Sequence, residues 1–294
     1  MIIARLIAEA NSLETRLDAA GKALDEAGMP IAMAGMVDFC GDVLQISLPH
    51  GETRQIVDTL TEHFGEVDLL VADHEIEIPR LFVSDMDSTM IGQECIDELA
   101  DFAGIKNKVS EITERAMRGE LEFESALRER VALLEGLGER AIDNCLAERI
   151  APVPGARTLV ETLKSKGCRT VLVTGGFHHF ADRVAQQLGF ERVVGNRLAV
   201  STGVLTGKLA GPVSDASTKL ATLQEERAKL GDGARVLATG DGANDIPMMA
   251  AADYGVAYRA KPKAREAATG RIVSEDLSVI LKLLGIPQKE WVTG

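Results

Sequence analysis

The sequence lacks any apolar run approaching the ~18 residues of a membrane-spanning helix. It also lacks a secretory leader, because Arg5 and Glu9 interrupt the first apolar stretch too early for one. Together these absences lead to the expectation of a cytoplasmic protein with no membrane partner. Clusters of Lys and Arg are missing, aromatic residues are only 4%, and the formal net charge is −13, so nucleic acid is excluded as the expected partner. The four cysteines, Cys40, Cys95, Cys145 and Cys168, are far apart and make no C-x-x-C pair. That spacing speaks against a zinc site or a disulfide framework and for buried free thiols. His178 and His179 are adjacent and point in different directions on a helix, which suits packing or capping better than metal binding.

What is present is ordinary globular material in two parts. The length of 294 residues suits about two domains, and 46% hydrophobic residues suffice for their cores. Residues 1–76 read as strand, helix, strand, strand, helix, strand. Leu13, Leu17, Ala20 and Leu24 fall at helical spacing, as do Ile56, Leu60 and Phe64. Apolar stretches at 31–38 and 40–48 flank a turn expected at Gly41-Asp42. The order predicts a small α+β ferredoxin-like unit similar in pattern to ACT-type regulatory modules. Nothing in it carries chemistry, so packing, homodimer formation and ligand sensing all stay open.

A polar connector containing Pro79 ends this unit, and a second domain is expected over 77–294. Leu81-Phe82-Val83-Ser84 reads as a short buried strand. A charged, helical stretch over about 94–150 follows, with Leu127, Val131 and Leu134 on one face, and is expected to cap the sheet. Strands and helices then alternate: strands at 169–173, 235–239 and 254–258, a hairpin at 197–209, and helices at 156–166, 180–188, 217–230 and 277–284. Such alternation predicts an α/β doubly wound, Rossmann-like parallel sheet.

Three strand ends bring polar groups to one edge of that sheet: Asp85 and Asp87, Thr174-Gly175-Gly176, and Asp241 with Asn244 and Asp245. In open α/β sheets this edge is where ligands bind. Two carboxylates at ~4 Å repel by roughly 4 kcal/mol at an effective dielectric near 20, so the cluster demands protonation or a cation. All-oxygen ligands favour Mg²⁺, which also neutralises a phosphate substrate. The Asp85/Asp87 spacing suits a nucleophile and a proton carrier in one loop. Thr174-Gly175-Gly176 offers a hydroxyl and backbone N–H groups to an oxyanion.

Asp85-Met86-Asp87-Ser88-Thr89 resembles the first motif of the haloacid dehalogenase-like superfamily, and within it the phosphoserine phosphatases. The likeness covers about residues 80–285. It implies Mg²⁺-dependent hydrolysis of a small-molecule substrate, phosphoserine, through an aspartyl-phosphate on Asp85. By the same resemblance Asp85, Asp87 (through its carbonyl) and Asp241 hold the metal, and Asp245 supports them. Thr174, Gly175 and Lys219 contact the phosphoryl group; Thr174 stands where Ser is frequent and keeps the hydroxyl. Glu94 and Arg130 take the substrate's ammonium and carboxylate, Asn244 joins them, and Met117 and Phe123 line the pocket. Three rivals stay in view: a phosphatase for another small phosphomonoester; a phosphoacceptor sensor, against which Asp87 argues; and a binding protein in which the N-terminal module does the work, against which the full set of catalytic matches argues.

Overall fold

The structure, a computed structural model, describes every residue except 9–11, 39, 118–119, 232 and 294, and only the backbone of Met117. From Leu81 onward the central strands are buried at every position rather than every second one. That pattern requires both faces of a sheet to be covered, which parallel strands with crossover helices achieve. The N-terminal part comprises β1 (Ile2–Ile7), α1 (Leu13–Glu26), β2 (Met33–Val37), β3 (Cys40–Leu48), α2 (Thr53–Phe64) and β4 (Leu69–Ala72). After β5 (Leu81–Ser84) come four cap helices: α3 (Cys95–Phe102), α4 (Lys106–Met117), α5 (Phe123–Ala132) and α6 (Arg140–Arg149). The chain then returns through α7 (Ala156–Ser165), β6 (Arg169–Phe177), α8 (His178–Leu188) and β7 (Arg192–Asn196). A hairpin, β8 (Leu198–Ser201) and β9 (Val204–Leu209), precedes α9 (Ala216–Leu230) and β10 (Val236–Gly240). The end is α10 (Ile246–Ala251), β11 (Tyr254–Tyr258), α11 (Pro262–Ala267), β12 (Gly270–Ile272) and α12 (Val279–Leu283).

Ten strands share one sheet in the order β2-β3-β1-β4-β12-β11-β10-β5-β6-β7. The six from β12 to β7 are parallel and run outward in both directions from the β5/β10 pair. That pair is the topological switch point, where a crevice opens at the carboxyl ends of the strands. The β2-β3-β1-β4 segment is antiparallel, as the ferredoxin-like pattern requires.

The two parts are joined by backbone pairing. β4 runs antiparallel to β12, with Leu70 opposite Gly270, and Arg271 reaches Asp58 at 2.9 Å and Thr61 at 3.0 Å on α2. One apolar cluster includes Ile3 and Leu70 together with Phe82 and Leu172, while a second is private to the N-terminal part. The turn expected at Gly41-Asp42 falls earlier in the chain. Both residues belong to β3, where the Asp42 carboxylate pairs with Lys282 at 2.5 Å instead of shaping a bend. The short elements β7, β12, α10 and α11 are not foreseen from periodicity, since three to six residues give too few repeats to register. All four cysteines are buried and free.

Candidate functional site

Asp85 sits where β5 ends. Its N–H still donates to the Thr239 carbonyl at 3.0 Å, so the ladder to β10 carries the residue to the switch point with little freedom. The Asp85 Oδ1 accepts from the Lys219 ammonium at 2.7 Å and from the Met86 N–H at 2.8 Å. Both contacts fall on Oδ1, which leaves Oδ2 for the cavity. Burial, and then the neighbouring Asp245, push the Asp85 carboxyl well above the ordinary aspartate range, with Lys219 opposing. Lys219 is 1% exposed. Burial works against its charge, yet Asp85 and Asp245 outweigh it and hold the ammonium protonated.

Asp245 lies beneath the strand ends with both oxygens engaged. Oδ1 takes Lys219 at 2.6 Å, and Oδ2 takes the Asp241 and Gly242 N–H groups at 3.2 and 3.0 Å. Asp241 closes the group: ligand oxygens of Asp85, Asp241 and Asp245 lie within 4.8 Å of one another. Three carboxylates facing one buried ammonium are short of positive charge, and hard oxygen donors suit a divalent cation such as Mg²⁺. The Asp87 side chain is turned away from this group. Its Oδ1 accepts from the Cys95 N–H at 2.8 Å and its Oδ2 from the Thr174 hydroxyl at 3.2 Å. Burial raises its pKa against those hydrogen bonds. Gly176 is required here, because a Cβ would stand 2.7 Å from the Asp87 Oδ2.

These groups open into one cavity of about 460 Å³ under the cap. Of the residues named from sequence, Asp85, Asp87, Glu94, Phe123, Arg130, Thr174, Gly175, Asp241 and Asn244 line it. Lys219 and Asp245 stand behind the lining and touch Asp85 or each other; the side chain of Met117 is outside the described residues. Glu94 accepts from the Ser88 hydroxyl at 2.8 Å, and burial followed by Asp87 raises its carboxyl. The Arg130 Nε reaches the Ala126 carbonyl at 3.3 Å, one turn back on α5. Glu94 from the N-terminus of α3 and Arg130 from α5 therefore offer opposite charges to one space.

Sequence reasoning misses Lys261. It lines the cavity, its Nζ is 3.2 Å from the Asp241 Oδ2, and its N–H donates to the Asp241 carbonyl at 2.9 Å. A signal was available: Lys261 follows the strand at 254–258, whose carboxyl end lies on the same sheet edge as Asp85. Asn196 and Ser214, which hold the Thr174-Gly175 stretch of β6 from behind, are missed too, the first because β7 itself went unseen.

Fold and site together define a capped, doubly wound α/β protein with a cation-demanding carboxylate cluster at its switch point. The haloacid dehalogenase-like hydrolase family matches residues 82–250, more than half of the chain, and the chain belongs to that family. It is 45% identical over 210 residues to a phosphoserine phosphatase of Albidiferax ferrireducens, covering 69% of this chain and 89% of that one. It is 39% identical over 263 residues to the Mycobacterium tuberculosis phosphoserine phosphatase SerB2, covering 87% of this chain but only 64% of that protein. Among solved structures, a haloacid dehalogenase family hydrolase from Salmonella enterica serovar Typhi superposes with a TM-score of 0.81 at 26% identity, covering 97% of this chain and 98% of that one. Among the described residues no helix is long and apolar enough to cross a membrane.

Proposed function

We propose that the chain hydrolyses O-phosphoserine to serine and inorganic phosphate. One observation carries the reading: Asp85, with Oδ1 pinned and Oδ2 toward the cavity, faces the same space as the Asp87–Thr174 pair and the opposed charges Glu94 and Arg130. A cavity of about 460 Å³ lies within the ~300–1,000 Å³ range of small-molecule pockets. The phosphoserine phosphatases of Albidiferax ferrireducens and Mycobacterium tuberculosis, like other curated relatives, support the same substrate.

In this reading Asp85 Oδ2 attacks phosphorus, and the phosphorus–oxygen bond to serine breaks as the aspartyl-phosphate forms. Asp87 gives its proton to the leaving serine oxygen, a task suited to a carboxyl whose pKa is raised. Asp87 then takes a proton from the water that attacks phosphorus in the intermediate, and the bond between phosphorus and Asp85 Oδ2 breaks to free Asp85 and release inorganic phosphate. The Gly175 N–H and, once its proton turns from Asp87, the Thr174 hydroxyl stabilise the phosphoryl oxygens, with the Lys219 charge acting from behind Asp85; positioning and electrostatics carry most of the rate. Asp85, Asp241 and the Asp87 carbonyl would hold Mg²⁺, which when bound supplies the positive charge the cluster lacks. Asp245 braces the loop rather than ligating, since both of its oxygens are taken. Arg130 pairs with the substrate carboxylate, whose two oxygens its planar fork matches, and Glu94 with its ammonium.

The deciding experiment measures phosphate release from phosphoserine, phosphothreonine and a sugar phosphate, with Mg²⁺ and after chelation. Mg²⁺-dependent turnover that favours phosphoserine supports the proposal. Equal rates on all three substrates would move the reading to a general small-phosphomonoester phosphatase.

A further inference from the structure

Behind Thr174-Gly175, where β6 departs from regular pairing with β7, lies a buried polar arrangement that neither lines the cavity nor faces solvent. Asn196, at the end of β7, is 1% exposed, and Ser214, just before α9, is 4% exposed. The Asn196 Nδ2 donates to the Gly175 carbonyl at 2.7 Å and to the Ser214 carbonyl at 3.2 Å, while its Oδ1 accepts from the Ser214 N–H at 2.8 Å. The Ser214 hydroxyl donates to the Thr174 carbonyl at 3.0 Å. Two consecutive carbonyls of this part of β6 are thus held from the same side.

A trans peptide is planar, so fixing a carbonyl fixes the following N–H in the opposite direction. Ser214 pulling on the Thr174 carbonyl turns the Gly175 N–H away from itself, toward the cavity. Asn196 pulling on the Gly175 carbonyl turns the Gly176 N–H the same way, and that N–H donates to the Thr174 Oγ1 at 2.8 Å. With its lone pair so engaged, the Thr174 hydroxyl directs its own proton to Asp87. The fit is tight: a Cβ on Gly195 would stand 3.1 Å from the Thr174 Cγ2 and 3.2 Å from the Gly176 carbonyl oxygen. Ser214 also precedes Asp215, whose side chain caps the helix that carries Lys219.

We infer that Asn196 and Ser214 are a positioning pair that aims the Gly175 N–H at the phosphoryl group, holds the Thr174 hydroxyl on Asp87 beside it, and ties that cradle to the helix of Lys219. This rests on the phosphatase reading above. The pair never touches substrate; it presets donors that otherwise would have to be ordered during the reaction.

The test compares wild type with Ser214→Ala, in full-length protein with Mg²⁺. Binding of inorganic phosphate and of L-serine is measured by calorimetry, alongside steady-state kinetics on phosphoserine and a thermal melt. Inorganic phosphate binding is expected to weaken about tenfold and kcat to fall roughly 10–100-fold, with KM changing less. L-serine binding should stay within about twofold and the melting temperature within a few degrees. Unchanged phosphate affinity, or parallel weakening toward phosphate and L-serine, overturns the inference. Asn196→Ala extends the test, with a larger loss of phosphate binding expected; if it melts early, Ser214→Ala alone decides. A wild type that binds phosphate without hydrolysing phosphoserine would break the proposed reaction, while the two phosphate affinities would still judge the pair.

Discussion

Helix α9 serves two buried carboxylate clusters, and they are built on opposite terms. Its buried stripe is Lys219, Thr222, Leu223 and Glu226, so a charge stands at each end of a segment whose rise is about 10 Å. At the rear, Glu226 is met by Arg169 at 3.2 Å, by Lys229 at 2.7 Å and by Arg192. Burial opposes its charge, but those hydrogen bonds prevail and lower its pKa to about 2. At the front, Asp85 and Asp245 share the single ammonium of Lys219, and among the described residues Asp241 has only the exposed Lys261 as a cationic partner. There burial wins and the Asp85 carboxyl is pushed up. A carboxylate met by enough cations is finished as structure. One left short stays uncomfortable until a ligand supplies the charge, and that shortage is what marks the front cluster as the site.

The largest expected break of this contrast is Asp85→Asn. Turnover should fall by roughly 10⁴-fold or more, because the nucleophile of the proposed reaction is lost. The sign for stability is opposite to the usual one. Asp85 has a folded-state pKa above its unfolded value, so its ionisation at neutral pH costs stability that is recovered as pH falls. The substitution leaves one carboxylate for one ammonium, and the metal-free protein should melt roughly 2–4 °C higher. Differential scanning calorimetry checks this; a lower melting temperature would show that Asp85 was adequately paired after all.

Arg130 is the cation that the cap brings to the front. Arg130→Ala should cost about 10²-fold in kcat/KM on phosphoserine, chiefly through KM, and little on phosphoethanolamine, which has no carboxylate. Equal losses on both substrates would remove Arg130 from carboxylate recognition.

The rear cluster predicts the reverse of Asp85→Asn. Glu226→Gln should leave kcat and KM unchanged and cost about 2 kcal/mol, below the full value for a buried pair because its three cations are partly exposed. That corresponds to a melting temperature lower by roughly 4–8 °C. Its folded pKa lies below the ordinary 4.5, so the stabilisation is complete above about 4.5 and disappears as pH falls toward about 2. The gap in melting temperature between the two proteins should close over that window. A gap that persists at low pH would assign the stabilisation to shape rather than charge.

The same contrast explains what could be read in advance. Long amphipathic helices and fully apolar strands gave the ferredoxin-like order and the parallel sheet, because their burial pattern is their sequence pattern. The carboxylates at strand ends were legible for a related reason: Asp85 and Asp241 directly follow apolar runs. Lys219 was not legible on physical grounds, since a lysine in a charged helix ordinarily faces water, and here Lys219 and Glu226 occupy the stripe where apolar residues are expected. Only the resemblance reached it. β12 was too short to register, so the joining of the two parts into one sheet through β4 was invisible. Asn196 was hidden likewise, because a polar residue buried for hydrogen bonding looks like any loop asparagine until its partners are known.

The smallest effect concerns Lys261, whose side chain is 60% exposed and whose ammonium sits on Asp241. If the front cluster is short of cations by design, Lys261 is a weak, removable placeholder: it offsets Asp241 but competes with a divalent ion for the same oxygen. Lys261→Met should then tighten Mg²⁺ binding by roughly threefold to tenfold, as expected for removing one unit charge several ångströms from a divalent ion near a protein surface. Calorimetric titration of the substrate-free protein with Mg²⁺ reads this directly, without reference to turnover. The gain should shrink as salt is raised, because an exposed charge is screened within about 10 Å at 0.1 M. Weaker Mg²⁺ binding in Lys261→Met would mean that Lys261 orients Asp241 for the ion instead of standing in for it. The front cluster would then be as complete in its cations as the rear.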